Sequence, residues 1–425
     1  MTGNPVLDDC FAHDRKTLTH HEALTILKER VPVVAAPETV PLEKGLERIL
    51  AQDITAPRDV PLADNSAVDG YAFRHSDFDQ AGGFFRLHQR IAAGHASNAR
   101  LAPASAARIF TGAVMPQGAD TVAMQEDCEP HRQDGQDFVI VPQGLHKGAN
   151  CRKAGEDVAA GTTILDSGHR LRPQDLAAIA STGQPDVSVF GKLKVALLST
   201  GDELRRPGDP IALGDVYDAN HFLLRGLCAG LPVEAVDLGI IRDDAAQVEA
   251  AIGDAASRFD VVLTTGGASR GEEDHIHKAL DRLGQRDMWQ LAIKPGRPMM
   301  FGRIGECTFL GLPGNPVAAM VSFLLYARPA ISAMAGGGFP EPQRLQMPAA
   351  FEVANKKPGR REFYRGFLEK DANGRTVVSK FGPDGSGLIT GLRKADGLVE
   401  IPEDITSIGK GDPVTFLPFN GFGIR

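Results

Sequence analysis

From about Lys192 to Ala335 the chain alternates between short apolar runs and segments of helical spacing, and few architectures accept that pattern. KVALLST, PVEAVDLG, DVVLTTGG and TFLGL read as strands. NHFLLRGLCAG, DAAQVEAAIGDAASRF, DHIHKALDRLG and PVAAMVSFLLYARPAI read as helices, with Gly230 closing the first and Asp243 or Asp244 capping the second. Strands that are apolar almost throughout are buried on both faces. The pattern therefore predicts a parallel sheet covered by helices on both sides, a doubly wound α/β domain over 191–338.

The other segments have a different texture. A chain of 425 residues exceeds one core of ordinary size and predicts about three or four domains. THHEALTILKER reads as a helix capped by Thr19, and VPLEKGLERILAQDI as a second, shorter one. From about Asp59 to Asn150, short alternating runs broken by Gly and Pro predict a small β domain. GEDVAAGTTILDSGHRLRPQDLAAIASTG then returns to strand, turn and helix. Chain order thus predicts that a β domain at 58–150 is inserted into an elongated N-terminal domain built from 15–57 and 151–190. Beyond 339, an Asn-Gly hairpin signal in LEKDANGRTVVSK and a last strand in GDPVTFLPF predict a C-terminal β-barrel over 339–425.

Composition narrows the function classes. Hydrophobic content of 42% and charged content of 24% are those of a globular protein. A net charge of -8 with no long basic stripe argues against nucleic acid as partner. No apolar run reaches membrane-spanning length, and MTGNPVLDDCFAHD lacks the basic and apolar regions of a secretion signal. Cys10, Cys128, Cys151, Cys228 and Cys307 are scattered without a CxxC pair, which fits a reducing, cytoplasmic setting.

In an open α/β sheet, ligands sit beyond the carboxyl ends of the strands. Four polar, glycine-rich segments fall there: STGDEL, TTGGASRGEED, KPGRP and GLPGNP. Gly266 and Gly267 let the backbone approach a ligand closely. The helices that follow these loops offer unpaired N–H groups to a phosphate. Lys294 and Arg297 neutralise an anion, Arg297 in bidentate fashion. Carboxylates beside a phosphate repel it unless a cation lies between, so Glu203, Asp202, Asp274 and Asp243 suit Mg²⁺, which takes a few carboxylates together with substrate oxygens. Taken one at a time these segments are turns and helix caps; their convergence on one sheet edge favours a site. A Walker-type GxxxxGK[ST], a GxGxxG and an HExxH are all missing.

The runs NSAVDGYA, IFTGAVMPQGADTVAMQED, RKAGEDV, LSTGDEL, YDANHFLL, TTGGASRGEEDHI, AIKPGRPMMFG and FLGLPGNPVAAMVSF, in this order from about Thr19 to Ala330, resemble the MoeA-type molybdopterin molybdenumtransferases. GSGLITGLRKADGLVEIP extends the resemblance more loosely into the C-terminal part and leaves Arg365 and Ser386 without an assigned role. The resemblance implies insertion of molybdenum from molybdate into adenylylated molybdopterin with release of AMP, assisted by Mg²⁺. It further implies a homodimer whose site is shared between the α/β domain of one subunit and the inserted β domain of the other. Transient contact with the adenylyltransferase of the preceding step and with proteins that mature molybdoenzymes follows from the same likeness. The implied catalytic set is Asp69, Thr111, Asp157, Glu203, Asp243, Asp274, Lys294 and Arg297, with Glu203 and Asp274 on the metal. The implied substrate- and phosphate-binding set is Ser199, Thr200, Gly201, Thr265, Gly266, Gly267, Ser269, Pro313, Gly314, Asn315 and Pro316. Val68 stands where Met is usual, Arg297 where Lys is common and Thr265 where Ser is common; none of these removes a candidate ligand. A molybdopterin adenylyltransferase or a non-catalytic pterin-binding scaffold are the competing readings. The first needs neither the NSAVDGYA domain nor the C-terminal one, and the second does not need intact acids.

Overall fold

The computed structural model describes residues 17–95, 99–266, 275–382 and 385–424. The chain forms two compact units, one of Met1–Glu38, Glu47–Ala51 and Ser188–Arg425, the other of Thr39–Leu46 and Gln52–Val187.

The first unit is built on a six-stranded sheet in the order Val233–Ile241, Leu193–Thr200, Val261–Thr265, Cys307–Leu312, Pro298–Ile304, Gln285–Gln290. The first four strands are parallel, while Pro298–Ile304 runs against them and pairs antiparallel on both sides, so the sheet is mixed where the strand–helix alternation predicts an all-parallel one. Two turns account for the difference. Ile304 pairs with Cys307, so Gly305 and Glu306 form a two-residue hairpin turn that reverses the chain without a crossover helix. Gly284 lets the strand from Gln285 lie directly on its neighbour, because a Cβ there would sit 2.0 Å from the Arg303 carbonyl oxygen.

Both faces of this sheet are covered, as uniformly apolar strands require. Val195, Leu197, Val261 and Leu263 enter one core cluster with Leu224, Val317 and Val321. The intervening Ala196 and Val262 enter a second with Val248, Ile252 and Leu280. Ala219–Cys228 is capped by Asp218 and ends on Ala229, one residue short of Gly230; Ala245–Ala256 is capped by Asp244. The last helix runs Pro316–Ser322, passes through a π-helical turn at Phe323–Ala327 and continues as Arg328–Met334. Pro329 has no N–H for the ordinary i−4 bond, and the widened turn lies just before it. Together these segments make a 19-residue helix long and apolar enough to cross a bilayer, yet 89% of its 18-residue apolar window is buried inside the protein.

The N-terminal helix His20–Arg30 belongs to the same unit. Thr19 and Glu22 form a capping box, and Ala23 and Leu27 enter the first core cluster. His20 Nδ1 meets the buried Tyr326 hydroxyl at 2.6 Å. VPLEKGLERILAQDI does not form the second helix its spacing predicts. Only the 3-10 turn Leu42–Lys44 appears, and Glu47 takes a left-handed φ of 64° that no helix accommodates.

The C-terminal part is a sheet in the order Ile293–Lys294, Arg361–Lys370, Gly397–Ile401, Pro413–Pro418, Leu345–Pro348, with Thr376–Lys380 also on Arg361–Lys370. The Asn-Gly signal is the hairpin between Arg361–Lys370 and Thr376–Lys380, where Gly374 has a φ of 77°. Val378, Val399, Val414 and Phe416 form its core. Among the described residues the ladder path is open, with a single bridge from Ala349 to Val378 joining its ends.

The second unit carries another six-stranded sheet, ordered Thr121–Met124, Gly70–Phe73, Ser105–Ile109, Phe84–Ile91, Gln136–Ile140, Glu129–Gln133. Only the Phe84–Ile91 and Ser105–Ile109 pair is parallel. Phe73, Phe85 and Val139 fill its core. Short ladders, Thr163–Leu165 on Ile54–Thr55 and Cys151–Arg152 on Asn65–Ser66, lie in the same unit. So does helix Pro173–Ser181, whose Asp175 accepts from the Arg172 backbone and side chain.

Candidate functional site

Parallel register aligns the carboxyl ends of four strands. Thr200 pairs with Ile241, Ser199 with Thr265, and Thr265 with Leu312. The antiparallel strand Pro298–Ile304 starts at the same edge, since Met300 pairs with Gly311. The loops leaving or entering this edge enclose a cavity of about 870 Å³ within the first unit.

Of the residues the sequence singles out, Thr200, Gly201, Glu203, Asp243, Thr265 and Gly266 line the cavity. Lys294, Arg297, Pro313, Gly314, Asn315 and Pro316 line it too. Gly267, Ser269 and Asp274 lie outside the described residues. Ser199, the penultimate strand residue, is not part of the cavity wall.

Two glycines shape the wall by what a side chain would strike. Gly266 has a φ of 91°, and a Cβ there would lie 2.4 Å from the Thr200 carbonyl oxygen. Gly201 has a φ of 151°, and its Cβ would lie 2.6 Å from a Glu203 carboxylate oxygen. The Glu203 carboxylate is therefore folded back over the turn.

The expectation that the helix after GLPGNP offers several unpaired N–H groups is not met. Pro316 has no N–H, and the Val317 N–H is taken by the Ser386 carbonyl at 3.1 Å. The cationic side chains on the cavity wall include Lys294 and Arg297. Both are held by the KPGRP segment, which the first residues of the C-terminal sheet fix in place: Ile293 pairs with Arg361 and Lys294 with Glu362.

Three further groups shape the site. Asn220, 8% exposed at the start of Ala219–Cys228, donates to Thr265 Oγ1 at 2.8 Å and to the Gly314 carbonyl at 2.6 Å, while its Oδ1 has no partner. Asp218 caps that helix through His221 N–H and takes a bond from Arg206 at 3.2 Å. From the C-terminal sheet, Arg360, Tyr364, Arg365 and Ser386 complete the wall. Ser386 Oγ accepts from Asn315 Nδ2 at 2.9 Å; Arg365 donates to the Leu388 carbonyl and lies 4.5 Å from the Phe381 ring centre. The usable signal for Asn220 was polarity where a helix of this kind buries its first turn, within YDANHFLL. Arg360, Tyr364 and Arg365 lie in KKPGRREFYR, a short basic cluster that suits a small anion, and Ser386 lies in GSGLITGL, where the resemblance gives it no role.

Among the described residues no group of three or more His, Cys, Asp or Glu side chains is gathered as a metal cage. Glu203 and Asp243 do line the same cavity. Asp202 accepts from the Asp243 N–H at 3.3 Å and stands off the wall.

In the second unit, Asp69 Oδ1 accepts from both the backbone N–H and the hydroxyl of Thr111, each at 2.8 Å. The Thr111 N–H bond first, then the hydroxyl bond, hold the Asp69 carboxyl below its ordinary range. Asp157 is exposed, with its N–H on the Val60 carbonyl at 3.0 Å.

Three regions of the chain match known families: residues 18–183 the MoeA N-terminal region (domain I and II), 196–333 a probable molybdopterin binding domain, and 348–419 the MoeA C-terminal region (domain IV). A molybdopterin molybdenumtransferase of Haemophilus influenzae is 37% identical over 95% of this chain and 99% of its own length. The chain belongs to the MoeA family.

A molybdopterin molybdenumtransferase 2 of Mycobacterium tuberculosis is 34% identical over 88% of this chain and 93% of its own. A solved molybdopterin biosynthesis MoeA protein of Pyrococcus horikoshii superposes with a TM-score of 0.80 at 32% identity, covering 95% of this chain and 99% of that one. The MoeA central part is thus the mixed sheet with the cavity at its edge, and the C-terminal MoeA region supplies Arg365 and Ser386 to the same wall.

Proposed function

We infer that this protein inserts molybdenum from molybdate into adenylylated molybdopterin and releases AMP, forming molybdenum cofactor. The carrying observation is the 870 Å³ cavity at the carboxyl edge of the sheet, walled from both the probable molybdopterin binding region and the C-terminal region. Its size suits a pterin with phosphate groups.

The chain's own groups divide the work by chemistry. Lys294 and Arg297 face an anion, molybdate or phosphate. Gly266 and Gly314 let the ligand lie against backbone, and Asn220 holds their two loops together. When the phosphoanhydride is cleaved, negative charge gathers on the departing adenylate. Cationic side chains already in place stabilise it without reorganising. Glu203 and Asp243, with substrate oxygens, form a donor set that suits Mg²⁺, which prefers few carboxylates and retains other oxygen ligands. Bound there, Mg²⁺ would neutralise phosphate charge.

The open sheet of the C-terminal part, bridged at Ala349 and Val378, is read as a small barrel. A homodimer, transient contact with the enzyme that adenylylates the pterin and with molybdoenzyme maturation proteins, and a cytoplasmic location complete the proposal. Asp69, Thr111 and Asp157 enter it as motif residues on the second unit.

The test is AMP release from adenylylated molybdopterin with Mg²⁺, with and without molybdate. Molybdate-dependent release that collapses in Glu203→Ala supports the reading. Release at the same rate without molybdate makes the protein a hydrolase, and binding without release makes it a scaffold.

A further inference from the structure

Arg90 and Arg108 are register partners on neighbouring parallel strands of the second unit, so their side chains stand side by side on one face. Both guanidinium groups lie against one ring, Arg90 at 4.7 Å and Arg108 at 5.1 Å from the centre of Phe110. Arg108 also stacks at 4.9 Å on Tyr71, its partner on the next strand. It donates to the Gly70 carbonyl at 3.4 Å and to the Gln125 side chain. Neither arginine is in an ion pair with a carboxylate among the described residues.

Like charges set side by side on a sheet are destabilising. The usual remedy is an acid between them. Here the nearby acid, Asp69, is taken up by two bonds from Thr111, although Arg108 still helps to hold it ionised. Two planar donors fixed by aromatic rings keep most of their five N–H groups for something else and lose little freedom on using them. We propose that Arg90 and Arg108, set on the Phe110 ring beside Asp69 and Thr111, form a site for the phosphoryl group of a phosphate monoester. The guanidinium fork matches two phosphate oxygens, and the ligand's charge relieves the repulsion between the arginines. The residues of the site all lie within the second unit.

The test uses the full chain carrying Lys294→Ala and Arg297→Ala, which removes two of the four cationic side chains on the cavity wall. Binding of inorganic phosphate and of AMP is measured by equilibrium dialysis at low salt. Each ligand is expected to bind, and adding Arg90→Gln and Arg108→Gln is expected to weaken binding by about tenfold or more. The same pair of changes should leave the melting temperature without ligand unchanged or higher, because a like-charge contact is lost, and should abolish its rise with phosphate. Equal affinities assign recognition to the phosphoryl group alone; tighter AMP adds the nucleoside. Binding that survives Arg90→Gln and Arg108→Gln, or no binding in the Lys294→Ala, Arg297→Ala protein, overturns the proposal. Failure of molybdate-dependent AMP release with this binding intact would overturn the cavity's function and leave the arginine site standing.

Discussion

Asn220 donates its side-chain amide to the Gly314 carbonyl oxygen at 2.6 Å, joining the first turn of one helix to the loop before another. The same amide reaches Thr265 Oγ1, so one buried side chain holds three walls of the cavity. Asn220→Ala leaves both acceptors buried without this donor. We expect a stability loss of about 1–3 kcal/mol, read as a lower melting temperature, and a raised KM as the Gly314 loop loosens. An unchanged KM would remove Asn220 from the positioning of the site.

Gly266 is where a single methyl group should do most damage. Its left-handed φ and the 2.4 Å approach of the Thr200 carbonyl leave no room for a Cβ. Gly266→Ala is expected to lower kcat/KM at least about tenfold, some 1.4 kcal/mol of transition-state stabilisation, with the far-ultraviolet circular dichroism retained. Steady-state AMP release reads the first and the spectrum the second.

His20 gives a pH signature. Burial first, then the charges of Arg361, Arg344 and His21, lower its pKa from 6.5 to about 3. The unfolded chain binds a proton that the folded chain refuses between these values, so this residue costs stability as pH falls from 6.5 towards 3. His20→Gln should flatten that part of the melting-temperature profile relative to the unaltered protein. Equal slopes for the two proteins would show that the acid sensitivity lies elsewhere.

Asp69 should titrate lower than an ordinary aspartate because Thr111 supplies two donors. Thr111→Val removes the hydroxyl and keeps the backbone bond, so the Asp69 pKa is expected to rise part of the way back. Carbon-detected NMR of the Asp69 carboxyl measures it directly.

The sequence-based reading succeeded where a local pattern carried the information. Alternation from Lys192 onward foretold four of the six strands and the helices between them, but not Gln285–Gln290 or Pro298–Ile304, and the glycine-rich loops marked the edge where the cavity lies. The direction of Pro298–Ile304 escaped it, because direction depends on a two-residue turn at Gly305 rather than on strand composition. The supposed helix over 40–54 failed because Pro41 and the left-handed Glu47 outweigh an apolar spacing. Asn220 reaches the wall through packing between segments far apart in the chain, which no window of sequence displays. Ser199 shares a motif with Thr200, but strand alternation points the two to opposite faces of the sheet, and only Thr200 lines the cavity.

The composite helix Pro316–Met334 bears on how such a protein can change over evolutionary time. Its first residues border the ligand cavity and nearly all the rest lies inside the protein's own core. A substitution along it is read first as a folding defect and only then as a change in selectivity. New preferences for an oxyanion or a pterin derivative should therefore arise through the loops at Lys294–Pro298 and Gly385–Ile389, which can drift without unmaking the scaffold that presents them.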